Sequence, residues 1–175
     1  MNTIRVWDPL VRALHWTLVA CVLGNLLNES GETLHRALGY TASGVVLTRL
    51  VWGFVGPRHA RFADWFPTPA RLLPYLRALL QGRAPRHIGH NPAGAVMMLA
   101  LLTLVLGLGA TGYLMTTDAF FGEDWLEEIH EALADVLVGA VALHVAAALF
   151  ESWRHRENLV ASMLHGRKRA SESPE

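Results

Sequence analysis

The chain has a single cysteine, Cys21, among its 175 residues. One thiol excludes an internal disulfide framework, a zinc-thiolate site, an iron–sulfur cluster and the C-x-x-C-H motif that attaches c-type haem. Charge is scarce as well. Only 17% of residues are charged, and fifteen cations balance fifteen anions to a formal zero, so the net value names no acidic or basic partner and gives no sign of nucleic-acid binding. There is no internal repeat and no low-complexity run. No A-x-A-like cleavage site precedes Asn28, so the first apolar segment reads as a retained span rather than a signal peptide. What is abundant is apolar surface: 52% hydrophobic residues, six of them Trp, a balance that suits a bilayer better than water. Cys21 lies inside one of these apolar stretches and reads as a small buried hydrophobe rather than a redox group.

Four segments are long and apolar enough to cross a membrane, at 10–27, 38–55, 92–115 and 129–150. Asn91-Pro92 has the form of an N-cap followed by proline in the first turn, and Gly107, Gly109, Ala110 and Gly112 allow close helix contact in the third span. Orientation follows from the segregated charges. The connection at 56–91 holds Arg58, Arg61, Arg71, Arg77, Arg83 and Arg86, and the C-terminal end holds Arg154, Arg156, Arg167, Lys168 and Arg169, which predicts both regions, and both termini, to be cytoplasmic. The opposite loops carry Glu29, Glu32, Asp118, Glu123, Asp124, Glu127 and Glu128 with no lysine or arginine. Glu127, Glu128 and Glu131 either complement the positive end of the fourth helix or form a docking patch for a basic redox protein. Within the basic connection, 69–81 mixes leucine and arginine at helical spacing, as an interfacial helix would, the alternative being a basic linker. One transmembrane domain over 1–165 is expected. From Ala161 the chain reads as poorly ordered, with 166–175 a polar cytoplasmic tail.

Nine histidines are present, and four of them fall in or at the mouths of apolar spans. His130 and His144 lie fourteen residues apart on one helix: about 1400° of rotation, about 40° short of four turns, puts them on one face, and about 21 Å of rise puts them near opposite surfaces of a core about 30 Å thick. An imidazole inside a bilayer is costly and marks function. Haem iron with two axial nitrogens and no open site is a natural partner, with ligands supplied from facing helices. Sidedness sets the pairing. His15 and His144 are near the cytoplasmic ends of spans one and four, whereas His35 and His130 open spans two and four from the outside. The expected fold is therefore an all-α membrane four-helix bundle with two b haems between helices, the histidine-free third span closing the wall; the competing reading is four unrelated packed histidines. Gly39, Gly139 and Ala140 offer room for a flat macrocycle. Arg49, fourteen residues after His35, sits at the inner level, where it either neutralises a haem propionate or snorkels to the interface; Arg36 has the same two readings outside. His59, His87, His90, His155 and His165 fall in the basic loop, its boundary or the tail and are expected to be mostly solvated; His87 and His90, three apart, lack a second ligand pair for a metal.

Several stretches, Val6–Trp16 (VWDPLVRALHW), Leu34–Tyr40 (LHRALGY) and Arg49–Arg58 (RLVWGFVGPR), resemble the bacterial cytochrome b561 family and its close relatives, the hydrogenase-type cytochrome b subunits. Gly89–Gly94 (GHNPAG), Leu126–Ala134 (LEEIHEALA) and the run from His144 to Asn158 extend the resemblance over nearly the whole chain. It implies a four-helix membrane bundle with two haem b groups, held by His15 with His144 and by His35 with His130. It also implies electron transfer in the bacterial inner membrane between quinone and a partner: a hydrogenase-like subunit, a periplasmic cytochrome c or, in some members, superoxide at the outer surface. The leading expectation is a dihaem cytochrome passing electrons between quinone and an outer-side partner. The alternatives are a superoxide:quinone oxidoreductase and a non-redox anchor or haem-handling subunit.

Overall fold

The computed structural model describes residues 2–28 and 30–170; Glu29 of the acidic loop and residues 171–175 of the expected tail lie outside the described residues. A short strand β1 (Thr3–Arg5) precedes α1 (Pro9–Leu26) and α2 (Thr33–Val55). A 3-10 turn (Arg58–Ala60), α3 (Phe62–Trp65) and α4 (Pro69–Leu80) make up the basic connection. Then come α5 (Pro92–Leu114), α6 (Asp124–His155), α7 (Leu159–His165) and β2 (Arg167–Arg169). The four long helices α1, α2, α5 and α6 are each long and apolar enough to span a bilayer. Large apolar side chains stand exposed along them, Leu23, Val51, Phe54, Val136, Leu143 and Leu149 among them, a surface that lipid would cover and water would not.

Two helices outrun their apolar stretches, one of them for an electrostatic reason. Helix α6 begins five residues before the expected span and ends five after it, with Asp124 and Glu127 in its first turn and Arg154 and His155 in its last. These charges oppose the helix dipole at each end and so extend the helix where hydropathy stops. Helix α2 likewise starts at Thr33, which places His35 inside its first turn. The arginine-leucine segment is helical over Pro69–Leu80, opened by Thr68 and by proline in the first turn.

The contacts divide the chain into two compact units. The first gathers the described residues of Met1–Arg12, Trp52–Leu99 and Leu143–Glu175. Here β1 pairs antiparallel with β2 in the register Thr3↔Arg169, Ile4↔Lys168, Arg5↔Arg167. Val6, Trp7, Val11 and Ala60 form a buried cluster against Ile4, Trp52, Ile88 and Met163. Asp8 caps α1, its Oδ1 accepting from the Leu10 and Val11 amides at 3.0 and 3.1 Å and from Trp52 Nε1 at 3.2 Å.

The expectation of a poorly ordered chain from Ala161 is overturned for the described residues. Asn158 caps α7 through the Ala161 amide at 2.8 Å. Gly166, at φ +80°, ends that helix in the left-handed conformation and turns the chain into β2. Its carbonyl accepts from Val6 and Trp7 amides at 2.9 and 3.1 Å, and Trp7 Nε1 donates to Ser162 Oγ at 3.3 Å. Local composition is polar here; the order comes from the opposite end of the chain.

The second unit comprises Ala13–Val51 and Ala100–Ala142 and draws on all four long helices. Its glycines set the close approaches. A methyl at Gly109 would collide with Ser43 Oγ of α2, one at Gly107 would lie 3.3 Å from Leu133 of α6, and one at Gly24 of α1 would lie 2.8 Å from Leu38 of α2. The small residues of the third span therefore do the packing expected of them.

Candidate functional site

Within the second unit the first turn of α2 and the N-terminal part of α6 bring His35 and His130 together, ring centres 6.2 Å apart and planes inclined at 57°. Each imidazole has its Nδ1 engaged. The ring of His35 lies 2.8 Å through Nδ1 from the Asn28 carbonyl. A carbonyl only accepts, so Nδ1 carries the proton and donates. The Nδ1 of His130 lies 2.7 Å from Thr111 Oγ1, and the same hydroxyl contacts the Gly107 and Leu108 carbonyls at 3.0 and 3.2 Å. Thr111 has one proton to give. Given to the carbonyls behind it, that proton leaves an oxygen lone pair to accept from His130 Nδ1–H, which makes all three contacts attractive. Assigned by their partners in this way, both rings keep Nε2 as a free lone pair, the state in which imidazole binds a metal.

The spacing fits that use. A metal–imidazole bond is about 2.0 Å and a ring nitrogen lies about 1.1 Å from its ring centre, so two imidazoles sharing one metal from opposite sides would have centres roughly 6.2 Å apart. The observed separation is 6.2 Å. Gly112, next to Thr111 on α5, lies against the edge of His130; a methyl there would stand 3.4 Å from Cε1.

His15, on α1, belongs to the second unit and is half-buried beside Trp16, the rings edge to face at 5.1 Å. His144, on α6, belongs to the first unit and is also half-buried. Arg49 is 6% exposed, whereas Arg36 is exposed on the first turn of α2. Sequence reasoning gave α5 no part in the site beyond packing. Thr111, on that helix, and the Asn28 carbonyl were missed; a threonine four residues after Gly107 and next to Gly112 in an otherwise apolar helix is the signal that was there to read.

The first unit collects the basic loop and its histidines, and these are mostly not solvated. His59 Nδ1 meets Asp64 Oδ2 at 3.1 Å. The ring of His90 packs against Trp7 and Trp65 at 4.9 and 5.0 Å, and that of His87 against Tyr75 at 5.4 Å. His155 Nε2 stands 3.3 Å from Glu151 Oε2, and His165 is exposed, its Nδ1 accepting from the Arg167 amide at 3.0 Å. Among the described residues no three of His, Cys, Asp and Glu cluster as a metal site. A cavity of about 530 Å³ opens among Trp65, Arg71, Tyr75, His87 and His90. Burial and the nearby Glu151 carboxylate push the Tyr75 phenol up to about 12, against a smaller opposing effect of Arg154.

Beside it, Glu157 faces three cations. Arg86 grips it with Nη2 at 2.8 Å from Oε1 and Nε at 3.2 Å from Oε2, Lys168 Nζ lies 3.8 Å from Oε2, and the Arg169 amide donates to Oε1 at 2.7 Å. Burial alone would raise the Glu157 carboxyl, but the Arg86 and Arg169 hydrogen bonds and the charges of Lys168 and Arg86 outweigh it and hold it low. Lys168, 5% exposed, is pushed down by burial against the pull of Glu157.

A family model described as prokaryotic cytochrome b561 matches residues 6–166. Among similar proteins are probable Ni/Fe-hydrogenase B-type cytochrome subunits. That of Bradyrhizobium diazoefficiens is 24% identical over 95% of this chain and 86% of its own length, and that of Azotobacter vinelandii 24% over 94% and 88%. That of Rhodobacter capsulatus is 26% identical over 95% and 82%. These alignments run over 212 to 216 positions, more than the 175 residues of this chain, so the hydrogenase subunits carry inserted segments that it lacks. No solved structure gives a significant match. B-type cytochromes bind haem b, and four apolar helices make the chain an integral membrane protein. The family match reaches from β1's end to the cap of α7 and takes in every histidine pair described above: the chain belongs to the prokaryotic cytochrome b561 family.

Proposed function

We propose that this protein is a dihaem b-type cytochrome of the bacterial inner membrane that passes single electrons between quinone and a redox partner on the outer side. The observation that carries the reading is the His35–His130 pair, two imidazoles with Nδ1 anchored, Nε2 free and ring centres 6.2 Å apart. In this reading they hold the outer haem, while His15 and His144 hold the inner one, with Arg49 set against an inner propionate and Arg36 against an outer one. A haem iron between two imidazoles supplies one-electron redox chemistry with no position for oxygen. The chain's own part is to fix the imidazole tautomers, to place a buried guanidinium at the inner level, and to keep both sites inside an apolar wall.

The basic loop and the C-terminal end from Arg154 onward, with eleven of the arginines and lysines, are assigned to the cytoplasm, with both termini there. The arginine-leucine helix α4, whose Leu73 and Leu80 stand exposed, then lies along the inner membrane surface. Quinone is assigned to the cavity of about 530 Å³ in this unit, a volume typical of small-molecule sites, where His87, His90 and Tyr75 offer polar groups among aromatic walls. The relatives are hydrogenase subunits by name. A hydrogenase-like subunit is therefore one outer-side partner, and a cytochrome c or another basic carrier drawn to the acidic loops is the other.

The test is haem stoichiometry and redox titration of the purified protein. Two haems per chain with two reversible steps are expected, and His130→Ala or His144→Ala removes one haem each. One haem per chain, or a haem content unmoved by either substitution, refutes the reading.

A further inference from the structure

We propose that Thr111 is a positioning residue that sets the electron-donating strength of His130 and, through it, the midpoint potential of the outer haem. The inference rests on the ligand role given to His130 above, and adds to it a residue on the one long helix that supplies no histidine.

The geometry separates the two ligands of the pair. The proton of His35 Nδ1 is taken by a main-chain carbonyl, that of Asn28, which no side-chain substitution removes. The proton of His130 Nδ1 is taken by a single side-chain hydroxyl, Thr111 Oγ1 at 2.7 Å. That hydroxyl is itself held. Its own proton goes back to the Gly107 and Leu108 carbonyls at 3.0 and 3.2 Å, the i−4 and i−3 positions of α5. The oxygen therefore cannot rotate into donating without abandoning the main chain, and it presents a fixed lone pair to the imidazole. Helix α5 can bring it this close because Gly107 and Gly112 leave space against α6 on either side of it.

An acceptor on Nδ1–H draws the proton outward, gives the ring partial imidazolate character and makes Nε2 a better donor. A better donor favours the ferric state over the ferrous, which lowers the potential. Removing the acceptor must therefore raise it. Thr111→Val keeps the shape of the side chain and deletes the hydroxyl; Thr111→Ser keeps the hydroxyl and deletes the methyl.

The experiment is optical redox titration of the purified full chain, with haem content and the electron paramagnetic resonance of the ferric state recorded on the same samples. Thr111→Val is expected to retain two haems, to raise one midpoint while the other stays, and to move the g-values of one low-spin ferric signal. A threefold to tenfold change in the ferric-over-ferrous preference is expected, a rise of about 30–60 mV at 59 mV per tenfold. Thr111→Ser is expected to restore both the midpoint and the signal. Should Thr111→Val lose one haem while Thr111→Ser keeps it at the native midpoint, the hydroxyl is still what holds the ligand and the proposal stands. Two haems with both midpoints unchanged in Thr111→Val overturn it, as does Thr111→Ser behaving like Thr111→Val. A wild-type protein with no haem dependent on His35 and His130 refutes the ligand assignment itself, which the stoichiometry reports separately.

Discussion

Removing the carboxylate of Glu157 tests how the C-terminal strand is locked to the basic connection. Glu157 Oε1 and Oε2 are gripped by Arg86 at 2.8 to 3.2 Å, Lys168 stands at 3.8 Å, and the carboxylate is only 8% exposed. It is one anion facing several cations, so its loss and the loss of a cation are unequal events. Glu157→Gln leaves Arg86 and the buried Lys168 facing each other with no anion between them, a broken buried ion pair of about 3–5 kcal/mol. Lys168→Met leaves the bidentate Arg86–Glu157 pair intact and removes an ammonium that burial already disfavours, and is expected to cost less than about 1 kcal/mol. At about 2–4 °C per kcal/mol for a chain of this size, the first lowers the melting temperature by roughly 6–20 °C. Thermal unfolding in mild detergent followed by tryptophan fluorescence reads this directly, since Trp7, Trp52 and Trp65 all lie in the same unit. Acid adds a second signature. The folded carboxyl titrates below its unfolded value of about 4.3, so its contribution is whole above that pH and is lost as the pH falls through the folded value. Glu157→Gln should flatten that limb of the stability profile. A melting temperature within 2 °C of wild type for Glu157→Gln, on the order of 0.5–1 kcal/mol, or an equal loss in Lys168→Met, would refute the reasoning.

Three further outcomes are expected. The phenol of Tyr75 ionises at about 12, so the difference in tyrosinate absorbance between wild type and Tyr75→Phe should rise around that pH and be absent at pH 10. Gly109→Ala drives a methyl into Ser43 Oγ and should destabilise by about 1–3 kcal/mol, whereas adding Ser43→Ala removes the obstructing oxygen and should recover most of the loss in the same melting assay. Arg49→Gln deletes a buried cation and should lower one haem midpoint while leaving the Thr111-sensitive midpoint unchanged; equal shifts of both would remove Arg49 from the inner level.

Much of the architecture was legible because it depends on one-dimensional patterns. Apolar runs long enough for a bilayer mark α1, α2, α5 and α6, and arginine segregation marks the basic loop. The helical repeat puts His130 and His144 on one face of a single continuous helix, and α6 is continuous through both. Hydropathy failed at the ends of α6 because Asp124, Glu127, Arg154 and His155 are polar yet favour the helix termini they occupy. It failed again after Ala161, where Lys168 looks like a solvated charge and is 5% exposed because Glu157 neutralises it and β1 closes over it.

The sequence by itself therefore determined which segments are long and apolar enough to enter the membrane and which imidazoles lie in or beside them, since hydrophobic length and helical period are properties of neighbours along the chain. Only the tertiary structure decided that the Nδ1 protons of His35 and His130 go to Asn28 and Thr111, that the loop histidines pack against Trp7, Trp65 and Tyr75, and that the termini pair as strands. Those contacts join residues up to the full length of the chain apart. They depend on the rotation of one helix against another and on the closing of long loops, and neither leaves a periodic trace in the residues involved.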